Sequence, residues 1–189
     1  MSNIAIFASG SWTNTENLIR FFRTSPFGEV RTVLCNRPGA GVIGRAQSLE
    51  VESLVFTREQ FFSSNEVLDL LIERDIDYIV LAGFLWLVPE NLLLPFENKI
   101  VNIHPTLLPK YGGKGMYGSR VHRAVIEAGE SESGITIHYV NPEYDEGDII
   151  FQARCDIEPG ESPDSLAEKI HELEYKFFPT VVENLLKKL

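Results

Sequence analysis

Over its first hundred residues the chain alternates apolar runs of strand length with stretches whose apolar positions recur at helical spacing. Residues 3–8, NIAIFA, are the first such run and read as a strand. A small polar segment, SGSWTN, leads into TNTENLIRFFR, where Leu18, Ile19 and Phe22 share one side of a helix that Asn14 or Thr15 would cap. Residues 30–35 give a second strand ended by NRPGAG, residues 42–49 a short helix, and residues 52–56 a third strand. Arg58 falls in the loop TREQ, and NEVLDLLIERD sets Val67, Leu68, Leu71 and Ile72 at core spacing. Residues 78–82, YIVLA, are continuously apolar, as expected of a central parallel strand buried on both faces. Apolar character persists through residues 83–88 as the chain leaves that strand. A helix, PENLLLPF, then carries it to another apolar run at 100–103, interrupted by Asn102.

Beyond that run the pattern changes. His104, Pro105 and Pro109 make regular structure improbable in HPTLLPKY. KYGGKGMYGSR, with four glycines, reads as a mobile surface loop or lid. A helix over VHRAVIEAG ends at Gly129. ITIHYV (135–140) alternates as a strand, NPEYDEG turns, and DIIFQARCDI reads as its antiparallel partner. The last element, 162–189, is a long amphipathic helix capped by Ser162, with Pro163 in its first turn and Pro179 expected to kink or break it. The expected fold class is α/β, a doubly wound, mostly parallel sheet with an antiparallel C-terminal strand pair and a long C-terminal helix, all in one domain over 1–189.

Composition adds exclusions. At 44% hydrophobic and 23% charged, 189 residues suffice for one well-buried core. An excess of 27 acidic over 17 basic residues leaves a net charge of −10, and no Lys/Arg cluster resembles a face for nucleic acid. Cys35 and Cys155 lack metal-ligand or CxxC spacing and read as free thiols of a reducing cytoplasm. The N-terminal run is too short for a signal or membrane span.

Two stretches carry candidate chemistry. A buried strand ending in Asn102 and His104, followed by Pro-fixed backbone, suits a catalytic pair held at a strand tip; taken singly, each residue also fits a turn former or a satisfied core histidine. The strand–SGSWTN–helix segment would aim free backbone N–H groups at a phosphate, and equally fits a plain strand-to-helix turn; it lacks the glycines of a dinucleotide fingerprint.

These pieces match a known family end to end. SGSWTN, VLAGFLWLVP, VNIHPTLLPKY, SGITIHYVNPEYDEGDII and HELEYKFFP together resemble the phosphoribosylglycinamide formyltransferases, within the group that transfers or hydrolyses the formyl of 10-formyltetrahydrofolate. The Asn-x-His-Pro-x-Leu-Leu-Pro segment, with a Tyr-Asp-x-Gly loop about forty residues later, is specific to that group. The resemblance implies a Rossmann-like formyltransferase fold and a folate co-substrate, 10-formyltetrahydrofolate, with no metal. A primary amine would attack the formyl carbon through a tetrahedral oxyanion. It implies Asn102 as oxyanion donor, His104 as donor and proton carrier, and Asp145 as the carboxylate that holds the imidazole and raises its pKa. It places Ser11, Trp12, Thr13 and Asn14 at the ribonucleotide phosphate, with Glu174 and His171 also touching the ribonucleotide. It assigns Leu85, Trp86, Leu87 and Val88 to the folate pocket, and Asn141, Pro142, Glu143 and Tyr144 to the folate loop. Arg58 falls near the folate's glutamate tail.

Departures from the family's pattern are Trp12, where Gly is usual, Trp86, often Arg, and a glycine-rich loop at 112–118 longer than in some relatives. His122 reads as structural, while His138 fits either a supporting role or none. Glu143, Glu146 and Asp148 rival Asp145 by charge and read as a solvated turn. At 189 residues the chain is expected to lack the regulatory domain of formyltetrahydrofolate hydrolases and the RNA-binding barrel of methionyl-tRNA formyltransferases. The expectation is therefore formylation of glycinamide ribonucleotide in purine synthesis, by a cytoplasmic monomer or homodimer with small-molecule partners, no nucleic acid and no membrane. A non-catalytic folate- or nucleotide-binding module is the alternative.

Overall fold

The computed structural model describes residues 1–10 and 13–188, so the expectations for Ser11 and Trp12 lie outside the described residues. Five parallel strands, β1 (Ser2–Ala8), β2 (Gly28–Cys35), β3 (Glu52–Val55), β4 (Tyr78–Leu81) and β5 (Ile100–His104), are extended by two antiparallel ones, β6 (Glu132–Tyr139) and β7 (Ile149–Asp156). The order across the sheet is β3-β2-β1-β4-β5-β6-β7. Winding therefore reverses between β1 and β4, which opens a crevice at the carboxyl ends of the central strands.

Alternation along β1 shows why both faces must be covered. Ile4, Ile6 and Ala8 point into a core shared with α1 (Thr13–Phe22), α2 (Gly41–Ser48) and α7 (Pro163–Leu186). Ala5 and Phe7 point the other way, into a core closed by α3 (Arg58–Phe62), α4 (Glu66–Glu73) and α5 (Glu90–Leu93). The remaining helix, α6 (Ser119–Glu127), packs Val125 into the first of these cores. Among the described residues, no helix is long and apolar enough to cross a membrane.

Four expectations need correction. Helix α1 starts at Thr13, so Asn14 and Thr15 sit inside its first turn instead of capping it. Arg58 begins a short helix instead of lying in a loop, because Thr57 and Gln60 form a reciprocal capping box that starts α3 there. Ile72 is 60% exposed although it shares the helical spacing of Val67 and Leu71; the buried stripe of α4 is narrower than its apolar one.

The fourth concerns α7, which runs unbroken through Pro179. A proline in mid-helix leaves the carbonyl four residues earlier without its donor. That carbonyl belongs to Tyr175, and Asn17 Nδ2 of α1 donates to it at 3.0 Å. A side chain from the neighbouring helix thus replaces the missing amide. Asn17→Ala is expected to lower the unfolding free energy by about 1 kcal/mol, read by urea denaturation. In a Pro179→Ala background, whose new amide can bond Tyr175 directly, the same change should cost less. Equal losses in both backgrounds would remove this account of the uninterrupted helix.

Candidate active site

The two chemically active residues of β5 stand at its end for a register reason. In the β5–β6 ladder Asn102 lies opposite His138, and His104 opposite Thr136. His138 Nδ1 donates to the carbonyl of Tyr139 at 2.8 Å, which leaves Nε2 as an acceptor for Asn102 Nδ2 at 3.1 Å. That pairing fixes the amide so that nitrogen, not oxygen, faces the ring. The second hydrogen of Asn102 Nδ2 points at Asp145 Oδ1 across a long 3.4 Å.

Asp145 reaches this point from the loop between β6 and β7, with φ of 58°, a left-handed conformation that Asp tolerates better than most residues. Its Oδ2 accepts from the backbone of Gly113 at 2.9 Å and faces His104 Nδ1 at 3.5 Å. The other ring nitrogen of His104, Nε2, donates to the carbonyl of Tyr111 at 2.8 Å. Tyr111 is itself held at φ of 56°, and its hydroxyl donates to Glu130 Oε1 at 2.9 Å. A bulky residue in that region is strained unless its surroundings enforce it. The segment 111–113 therefore grips both the histidine, through a carbonyl, and the carboxylate, through an amide. Gly112 is needed between them, because an added Cβ would come within 2.6 Å of Leu108 and 3.3 Å of the Asp145 Cβ.

The electrostatics correct one expectation. Asp145 does push the pKa of His104 upward, but His104 is 4% exposed, and burial outweighs the carboxylate, so the net direction is below the ordinary value. For Asp145 burial raises the pKa, yet its neighbours, the Gly113 amide donor among them, hold it below the usual carboxylate value. The resting pair is thus a carboxylate beside an imidazole that resists permanent charge.

These groups form one wall of a cavity of about 350 Å³ at the strand ends. Asn14 and Glu174 line the same cavity. Glu174 is 4% exposed, accepts from Asn14 Nδ2 at 2.8 Å, and has its pKa pushed up by burial to about 7. Leu85 and Trp86 line the apolar end, and Trp86, Leu87 and Val88 continue into a smaller recess shared with Glu143 and Tyr144. Behind the apolar end, the buried Ser9 hydroxyl accepts from Leu85 N at 3.0 Å.

Other candidate residues fall outside the cavity wall. Arg58 lies over the rings of Phe62 and Trp86, at 4.6 and 5.6 Å. Thr13 contacts the Tyr175 hydroxyl through its own, and His171 stacks on the same tyrosine. Asn141 accepts from Glu143 N at 3.0 Å, and Pro142 is exposed; both shape the loop that carries Asp145 without lining the cavity. Sequence reasoning missed the grip of residues 111–113, since backbone atoms leave no residue-type signal, and it left the contact of His138 with Asn102 undecided.

A family model described as formyl transferase matches residues 2–182. The chain is 37% identical over 185 residues to a chloroplastic phosphoribosylglycinamide formyltransferase of Arabidopsis thaliana, covering 95% of this chain and 63% of that protein. A relative of the same name from Vigna unguiculata is covered to 61%, so the chain spans less than two thirds of these plant proteins. It is 32% identical to the phosphoribosylglycinamide formyltransferase of Bacillus subtilis, with 98% of this chain and 95% of that protein covered. The solved structure of glycinamide ribonucleotide transformylase 1 from Geobacillus kaustophilus superposes with a TM-score of 0.88 at 40% identity, over 98% of this chain and 99% of that one. With a match across nearly its whole length, the chain belongs to the formyl transferase family.

Proposed function

We propose that residues 1–189 act as one catalytic domain that transfers the formyl group of 10-formyltetrahydrofolate to the primary amine of 5′-phosphoribosylglycinamide, a step of purine biosynthesis. The observation that carries this reading is the meeting of Asn102, His104 and Asp145 on one wall of a cavity with an apolar end and a polar end. The names of the relatives support the choice of amine and folate. The substrates are small molecules, the protein a cytoplasmic monomer or homodimer.

In the reaction the amine nitrogen bonds to the formyl carbon, the bond from that carbon to the folate nitrogen breaks, and one proton passes from the amine to the folate. Asn102 stabilises the intermediate oxyanion with the amide hydrogen it now shares, at long range, with Asp145. Donors of this kind contribute about 2.7–4 kcal/mol to the transition state. His104 carries the proton at Nδ1, the one ring nitrogen not committed to backbone, and Asp145 steadies the charge while it is there. His138 keeps Asn102 aimed.

Incubation with 10-formyltetrahydrofolate, with and without glycinamide ribonucleotide, tests the reading. Folate product is expected only when the amine is present. Product without the amine would make the protein a hydrolase, and no product in either case would make it a binding module.

A further inference from the structure

Arg37 and Lys114 both line the active-site cavity, and neither has a carboxylate partner among the described residues. Arg37 is exposed at this wall, so its guanidinium is free to receive an anion that enters the cavity. Arg37 lies two residues past the end of β2, and its backbone is pinned: Cys35 Sγ donates to its carbonyl at 3.3 Å, and its amide donates back to that sulfur at 3.4 Å. The segment after it is tied to the β1–α1 turn, where Val42 N donates to the carbonyl of Gly10 at 3.2 Å. Asn14, in the first turn of α1, shares the cavity wall with Arg37. The first-turn amides of α1 offer partial positive charge, but no full charge.

Arg37 supplies that charge from the loop after β2, the strand next to β1, away from the reacting centre on β5. We propose that Arg37 binds the phosphate dianion of the amine substrate and makes the site selective for the ribotide over the uncharged riboside. This rests on the formyl-transfer reading. It concerns affinity and not chemistry, so Arg37 is a specificity-determining residue with no part in moving the formyl group.

The test compares wild type, Arg37→Met, Arg37→Lys and a control, Arg31→Met, on glycinamide ribotide and on its dephosphorylated riboside. Arg31 pairs with Glu29 and lies outside the cavity, so its loss changes net charge equally. For Arg37→Met, kcat/KM on the ribotide should fall about 10- to 100-fold through KM, the range for a hydrogen bond to a charged group. Turnover of the riboside should match wild type, which also shows the variant to be folded. Arg37→Lys should recover part of the loss, and Arg31→Met should stay within about twofold. Salt should depress ribotide turnover less in Arg37→Met than in wild type. An unchanged KM for the ribotide, or equal losses on both substrates, would overturn the assignment while leaving formyl transfer intact. Wild type that formylates neither substrate would remove the formyl-transfer reading itself, and the assignment with it.

Discussion

Asp145→Asn is expected to lower kcat by about 10²- to 10⁴-fold, the range for loss of a positioned acid–base group, with KM little changed. Asp148→Asn, three positions on and exposed, should stay near wild type. The substitution at 145 keeps the side chain's shape, and Asn is as much at home as Asp at φ of 58°, so the loop should fold as before. What changes is charge and donor sense. Oδ2 accepts from Gly113 N and faces Nδ1 of His104; an amide placed there loses the carboxylate's pull on an imidazolium, whichever way it flips. The pH profile gives a second readout. Burial already holds the His104 pKa below its ordinary value, and Asp145 is the largest influence opposing that. Without it, the pKa should drop further and the acidic limb of activity should move to lower pH. Near-normal turnover in Asp145→Asn, with a dead Asp148→Asn, would mean the wrong carboxylate has been assigned.

Why one acidic residue of four could be singled out from sequence, and much else could not, has a physical basis. Strand β4 is legible because a strand buried on both faces is apolar throughout, and β5 departs from that only at Asn102 and His104. Alternation of strands and helices points to a doubly wound sheet, but the place where the winding reverses, between β1 and β4, is set by the strand order and not by that alternation. Asp145 is different. Glu143, Glu146 and Asp148 carry the same charge nearby, and only the left-handed turn at 145 folds one carboxylate inward; that turn was visible solely through family resemblance. The direction of the His104 shift was misjudged because a charge partner is written in the sequence and depth of burial is not. Pro179 misled for a similar reason. Its rescuer, Asn17, sits on another helix, and no local rule connects the two. Arg58 was lost to a capping box that the loop-like TREQ conceals, although Thr and Gln three apart did carry that signal.

Two buried titratable groups, Glu174 in the cavity wall and His122 on α6, should pull stability in opposite directions, and separating them makes the second large prediction. Burial raises Glu174 from 4.5 to about 7 and lowers His122 from 6.5 to about 4. For Glu174 the folded pKa lies above the unfolded one. Its neutral burial is tolerated fully below pH 4.5, and stability is lost as pH climbs through 7. For His122 the folded pKa is the lower. Its contribution is complete above pH 6.5 and is lost as pH falls through 4. Each shift corresponds to about 3 kcal/mol at 1.36 kcal/mol per pH unit. Between 4.5 and 6.5 unfolding releases a proton at one site and takes one up at the other, so in wild type the two slopes cancel. Glu174→Gln, isosteric and still able to meet Asn14, removes the falling slope. Its stability relative to wild type should therefore rise by about 3 kcal/mol from pH 4.5 to above 7. His122→Leu should show the reverse, gaining relative to wild type as pH falls from 6.5 toward 4. Urea denaturation in steps from pH 4.5 to 7.5 measures both differences, in which the slopes of His104, His171 and the paired surface carboxylates drop out. A Glu174→Gln curve parallel to wild type would mean that the carboxyl at 174 stays ionised in the folded protein. It would then be held by a countercharge that the described residues do not supply.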